Sequence, residues 1–133
     1  MKQTARLICR FLFALSVPAA ALAHHSFAVH FEGDRTVTIS GVIEEFRFRN
    51  PHGMIIVAED ADDGVTRTWR IETNSPNILR RRGWSPDSIK AGEHVTIEGF
   101  PAVDGSTSMR VYRVQFSDGR ELIGQRPARG IEQ

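Results

Sequence analysis

Thr36-Val37-Thr38-Ile39-Ser40-Gly41-Val42-Ile43-Glu44-Glu45-Phe46-Arg47-Phe48 is the longest run in the chain that reads as extended backbone. Val37 and Ile39 share one parity; Val42, Phe46 and Phe48 share the other. Side chains alternate along a strand, so the apolar face changes sides at Ser40-Gly41. A strand that changes face carries a bulge or a sharp bend, and a bent first strand is what a small closed barrel requires. The same parity sets Glu44 among apolar side chains, where it either acts near a ligand or pairs with an inward arginine such as Arg67 or Arg113.

Downstream, residues 54–59 form a second strand, apolar on nearly both faces, and 66–73 a third, with Trp69 and Ile71 inward and Arg70 and Glu72 outward. The period then changes. Ser75 is a good N-cap, Pro76 suits the first helical position, and Gly83 ends a short helix through Asn77-Ile78-Leu79-Arg80-Arg81-Arg82. Residues 93–100 and 108–116 follow as strands four and five, with a short extended Glu121-Leu122-Ile123 after the Asp118-Gly119 turn. Three strands, a helix and two strands is the order of a mainly β, five-stranded OB-like barrel, placed here at 36–123; a five-stranded sandwich fits the same strand list. The barrel's binding face is usually lined by the loops between strands one and two and between four and five. These are residues 49–53 and 102–107.

Upstream, the chain opens with Lys2, Arg6 and Arg10 around and before an apolar run, followed by Pro18 and Ala19-Ala20-Ala21-Leu22-Ala23. That pattern predicts a secretory signal peptide over 1–23, cut after Ala23, and places the protein in the periplasm or outside the cell. The apolar run is shorter than the about 20 residues that span a bilayer, and no later stretch is apolar enough to be a transmembrane segment. Cys9, the single cysteine, leaves with the signal, so no disulfide is expected. Removing Lys2, Arg6 and Arg10 from the 17 basic residues leaves 14 against 16 acidic ones, a change from +1 to −2. So balanced a charge argues against nucleic acid and other polyanions as partners. Residues 24–35 form an N-terminal arm. In it Phe27, Val29 and Phe31 alternate with His30 and so read as a strand; residues 124–133 read as a mobile polar tail.

The predicted cut makes His24 the first residue. Its amine, with a reference pKa of about 8, and the Nδ1 of its own ring can then close a chelate on one metal. One further imidazole gives three nitrogens in a T, a geometry suited to Cu(II) ahead of Zn(II), and the arrangement resembles the histidine brace of periplasmic copper carriers and polysaccharide monooxygenases. The preferred third nitrogen is that of His52, on the loop shaped by Pro51 and Gly53. His25 is too close in sequence to complete the T easily, His30 is a lesser alternative, and His94 starts a strand facing out. A second candidate surface is Arg80, Arg81 and Arg82 with Trp84 beside them, suited to an acidic or phosphate-bearing periplasmic partner. No cysteine nucleophile, G-x-S-x-G, HExxH or Gly-rich phosphate loop occurs, so binding is expected rather than catalysis.

His24-His25-Ser26-Phe27, Gly41-Val42-Ile43-Glu44-Glu45-Phe46, Asn50-Pro51-His52, Ser75-Pro76-Asn77, Leu79-Arg80-Arg81-Arg82-Gly83-Trp84 and Asp118-Gly119-Arg120-Glu121-Leu122 occur in that order. Together they resemble a family of small exported bacterial proteins catalogued as a domain of unknown function. The resemblance spans 24–122. It implies export and brings no activity, ligand or site residue with it.

Overall fold

The computed structural model describes residues 25–61 and 63–125; the predicted signal peptide at 1–23, His24 and most of the tail lie outside the described residues. The elements are α1 (His25–His30), β1 (Val37–Arg47), β2 (Met54–Glu59), β3 (Arg67–Glu72), α2 (Pro76–Arg81), β4 (His94–Pro101), β5 (Ser108–Phe116) and β6 (Glu121–Ile123). β1 is long enough to serve two neighbours: its residues 37–42 pair antiparallel with β4 and its residues 41–47 with β2. β3 pairs with β2 and then, in parallel, with the start of β5. The circuit β1-β2-β3-β5-β4-β1 therefore closes, giving the OB-like barrel that the element order predicts. β6 adds to the far half of β5, alongside the stretch that β3 leaves unpaired.

The interior is filled from every strand: Ile39, Ile43, Ile55, Val57, Ile71, Val95, Ile97, Met109, Val111 and Val114 are all buried. α2 closes one end. Ser75 sits at its N-cap position with extended backbone but makes no side-chain cap bond; Pro76 opens the helix and Leu79 is buried. Gly83 adopts φ +86° and turns the chain so that Trp84 joins the core.

β1 does switch faces, but later than the sequence pattern places it. Ile39, Gly41 and Ile43 all point inward and Val42 is exposed. The register against β2 slips between Ile43 and Glu45, and beyond the slip Phe46 and Phe48 pack on the core. The bulge therefore falls at Glu44, which is exposed and not buried among apolar side chains. Its expected partners are engaged elsewhere: Arg67 with Asp63, Arg113 with Glu98. Gly41 marks a close approach instead: a Cβ there would lie 2.1 Å from the Ala58 carbonyl oxygen.

The arm is a helix where alternation predicts a strand. Phe27, Val29 and Phe31 fit a period of two, but helical geometry brings only residues four apart to one side. Phe27 and Phe31 meet at 5.8 Å between ring centroids, and Phe27 packs edge-on against Phe100 at 5.6 Å. Val29, off that stripe, is 61% exposed. A six-residue helix is not stable alone, so this one depends on its aromatic contacts and on the backbone bonds described next.

Candidate functional site

The arm docks across one mouth of the barrel. Phe31 bridges to Ala102, the Glu32 N–H donates to the Pro101 carbonyl at 2.9 Å, and the Val103 N–H donates to the His30 carbonyl at 3.1 Å. These bonds fix the end of α1 against the loop between β4 and β5. The loop between β1 and β2 faces it. There Gly53 packs so close to β3 that a Cβ would meet Thr73 Oγ1 at 2.5 Å, and the Thr73 N–H donates to the Gly53 carbonyl at 2.9 Å. This pins His52 beside the end of β3. The two predicted binding loops thus lie at one mouth, with the arm between them.

Phe27, His30, Phe31, His52, Glu72 and Arg110 line a cavity of about 400 Å³ at that mouth. An adjoining hollow of about 340 Å³ shares His30, Phe31 and Glu72 and adds Met54, Arg70 and Asp104. His52 Nδ1 lies 2.7 Å from Glu72 Oε1. Glu72 also pairs with Arg110, its direct neighbour in the parallel β3–β5 register. Arg110 is 8% exposed and donates from Nη2 to Asn74 Oδ1 at 2.6 Å. Asn74 in turn donates to the Gly124 carbonyl at 2.9 Å. The chain His52–Glu72–Arg110–Asn74–Gly124 is therefore continuous from the loop to the segment after β6. Burial, opposed by the charge of Glu72, holds the Arg110 guanidinium below its usual pKa. It remains a cation at any ordinary pH and neutralises the carboxylate beneath His52.

A histidine that ligates a metal usually has its other ring nitrogen held by a carboxylate or carbonyl, which fixes the ring and its tautomer. His52 has a carboxylate at the right distance, since Glu72 lies beside Nδ1, but the contact is a charge pair and not an aligned hydrogen bond; Nε2 has no hydrogen-bond partner among the described residues. His30 ends α1 and is exposed at the same cavity. His24 lies outside the described residues, as does the side chain of His25. His94 is elsewhere, with Nε2 2.6 Å from Asp60 Oδ2. Among the described residues no group of three or more His, Cys, Asp or Glu side chains stands close enough to hold a metal.

Arg80, Arg81 and Arg82 are exposed, and none pairs with a carboxylate among the described residues. Arg80 lies over the Phe48 ring at 5.2 Å. Trp84, expected beside them on the partner surface, is instead 2% exposed and donates from Nε1 to the Ile123 carbonyl at 3.0 Å. The turn at Gly83 carries it under α2 and into the core.

Sequence reading missed the ion-pair chain behind His52. It turns Glu72 outward and gives Asn74 no role. An inward-held arginine can be recognised only once β3 and β5 are known to be parallel neighbours in that register.

Fold and site together define a small single-barrel protein whose N-terminal arm docks across the mouth that carries His52. The chain belongs to a family of unknown function (DUF6152), whose match covers residues 12–110. No curated protein and no solved structure matches it. Among the described residues no helix is long and apolar enough to cross a membrane.

Proposed function

We propose that the protein is exported, loses residues 1–23, and binds Cu(II) through the amine and imidazole of His24 together with His52. The observation that carries this reading is the shared cavity: Phe27 from the arm and His52 from the loop line the same hollow. His24 precedes Phe27 by three residues, so covalent geometry keeps their Cα atoms within about 11 Å. His52 has the Glu72 carboxylate beside its Nδ1, on the side where a metal-ligating histidine carries its supporting group. The donor set is three nitrogens, which suits copper. On this reading the metal is cargo rather than a catalyst.

N-terminal sequencing of the exported protein is expected to begin at His24. Cu(II) titrated into that protein should give an electron paramagnetic resonance spectrum with nitrogen hyperfine structure, and His52→Ala should remove one nitrogen and lower affinity about 10–100-fold or more. A first residue other than His24, or a spectrum indifferent to His52→Ala, sinks the proposal.

A second reading is favoured by the three exposed arginines of α2 and its C-terminal turn, which meet no carboxylate among the described residues. On that reading they dock an acidic periplasmic partner. Replacing Arg80, Arg81 and Arg82 together by Ser should abolish a salt-sensitive association while leaving Cu(II) binding intact. Association that survives the replacement, or that ignores ionic strength, removes this reading.

A further inference from the structure

We propose that the hollow beside the loop between β4 and β5 is a separate site, which takes a small zwitterion with an apolar body, of the class of a free α-amino acid. The inference goes beyond the Cu(II) reading and does not depend on it. The site lies on the outside of the barrel wall. Ile55, Ile71 and Met109 are buried in the interior, so strand alternation turns Met54, Arg70 and Ser108 outward. Arg70 stands level with Ser108 in the parallel β3–β5 register. Both line the hollow of about 340 Å³, together with Asp104 from the loop and Phe31 from the arm. The loop is clamped to β3: the Arg70 N–H donates to the Thr107 carbonyl and Thr107 Oγ1 donates to the Thr68 carbonyl, both at 3.0 Å. The backbone carrying Asp104 is therefore fixed relative to the backbone carrying Arg70.

The charges in this hollow decide what it complements. Glu72 is on its wall but is neutralised by Arg110. Arg70 is exposed, and its side chain makes no ion pair or hydrogen bond among the described residues. Asp104 is also exposed and without an ion pair among the described residues; its Oδ1 accepts the Ser106 N–H at 2.9 Å. Hydrogen bonds from Ser106 and, less strongly, the charge of His30 hold the Asp104 carboxyl below the usual carboxylate range, so it is ionised at neutral pH. One guanidinium and one carboxylate thus face a single concave surface without meeting each other. A simple cation or a simple anion suits one of them and is repelled by the other. A dipolar ion suits both: its carboxylate accepts from the planar fork of Arg70, and its ammonium donates to Asp104. Phe31, Met54 and Ala102 supply an apolar wall for the side chain. Three fixed attachment points around one tetrahedral carbon distinguish mirror images, so one enantiomer should bind more tightly.

The test is calorimetric titration of the metal-free protein with the L- and D-forms of leucine, methionine and phenylalanine, and with the amide and the N-acetyl derivative of whichever binds best. The best of them should bind with a Kd on the order of 0.1–1 mM. Its amide and its N-acetyl derivative should each bind about tenfold more weakly. Arg70→Gln and Asp104→Asn, exposed changes whose thermal melts verify the fold, should each weaken the free amino acid by a similar factor. The losses should also pair: Arg70→Gln no longer distinguishes the amino acid from its amide, and Asp104→Asn no longer distinguishes it from the N-acetyl derivative. Absence of binding by all six probes, equal affinity for the two enantiomers, or binding unchanged in both variants overturns the inference. An N-acetyl derivative that binds as well as the free amino acid, and is lost only in Arg70→Gln, shows a plain carboxylate site and overturns it too. The metal-free titration involves neither copper nor the N-terminal amine, so its outcome is independent of the Cu(II) reading.

Discussion

Acetylating the amine of His24 should weaken Cu(II) binding by at least two orders of magnitude. In the processed chain the amine and Nδ1 belong to one residue, so once either binds, the other is presented at high effective concentration. Losing one arm of such a chelate costs a factor of about 10² to 10⁴. Acetylation converts the amine into an amide, which no longer offers its lone pair, and leaves no free amine in its place. The pH dependence should change as well. An amine with a reference pKa of about 8 is protonated at pH 6 and must release its proton to bind. Affinity of the processed protein should therefore rise by up to about tenfold per pH unit from this group alone as pH climbs toward about 8. The acetylated protein lacks that contribution and should show a shallower slope. Competition titrations against a calibrated chelator across pH 5.5 to about 8 read both effects. Parallel slopes and equal affinities in the two forms would rule out amine ligation.

Gly41→Ala should be the most damaging single-methyl change in the barrel. The added carbon would lie 2.1 Å from the Ala58 carbonyl oxygen, 2.9 Å from its carbon and 3.0 Å from Glu59 Cα. All three are backbone atoms of β2 and its end, so no side-chain rotation relieves the contact. The strand must move instead, at the point where β1 is shared by β2 and β4. Overpacking a tight interior costs about 1–3 kcal/mol and sometimes more, and this case belongs at or above the upper end. Against a total stability of about 5–15 kcal/mol, a loss of about 3 kcal/mol should lower the thermal midpoint on the order of 15 °C. Chemical denaturation of wild type and Gly41→Ala checks it; midpoints within the measurement error of each other would show that β2 yields easily here. Gly105, at the turn before β5, is different. Its φ of +73° makes a side chain strained, but nothing lies within 4 Å of where the Cβ would sit.

The parts of the fold that sequence reveals are those where one face of a strand is buried. Trp69 and Ile71 in β3, and Val95 and Ile97 in β4, alternate cleanly with polar neighbours and turn inward as the pattern requires. The helix before β4 is legible because Pro76 and Gly83 each have a backbone reason to be there. The arm is ambiguous for a definite cause. Three apolar residues at alternate positions satisfy a strand, and two of the same three, four apart, satisfy a helix; only Phe100, more than seventy positions beyond Phe27, decides between them. The bulge in β1 was legible as an event but not as a position, because Gly41 has no side chain to report its parity. His52 and its loop are visible as a candidate from Pro51 and Gly53. Glu72 and Arg110 are not, since their meeting depends on which residues of two distant parallel strands stand level.

The family match stops at residue 110, in the middle of β5. Arg110 is held by Asn74, Asn74 is tied to Gly124, and Trp84 to Ile123. The recognisable segment and the self-supporting segment are thus not the same length. A fragment trimmed to the homologous span would sever the last long strand and strip the clasp behind the histidine loop, so the smallest useful unit of this barrel extends at least to Gly124.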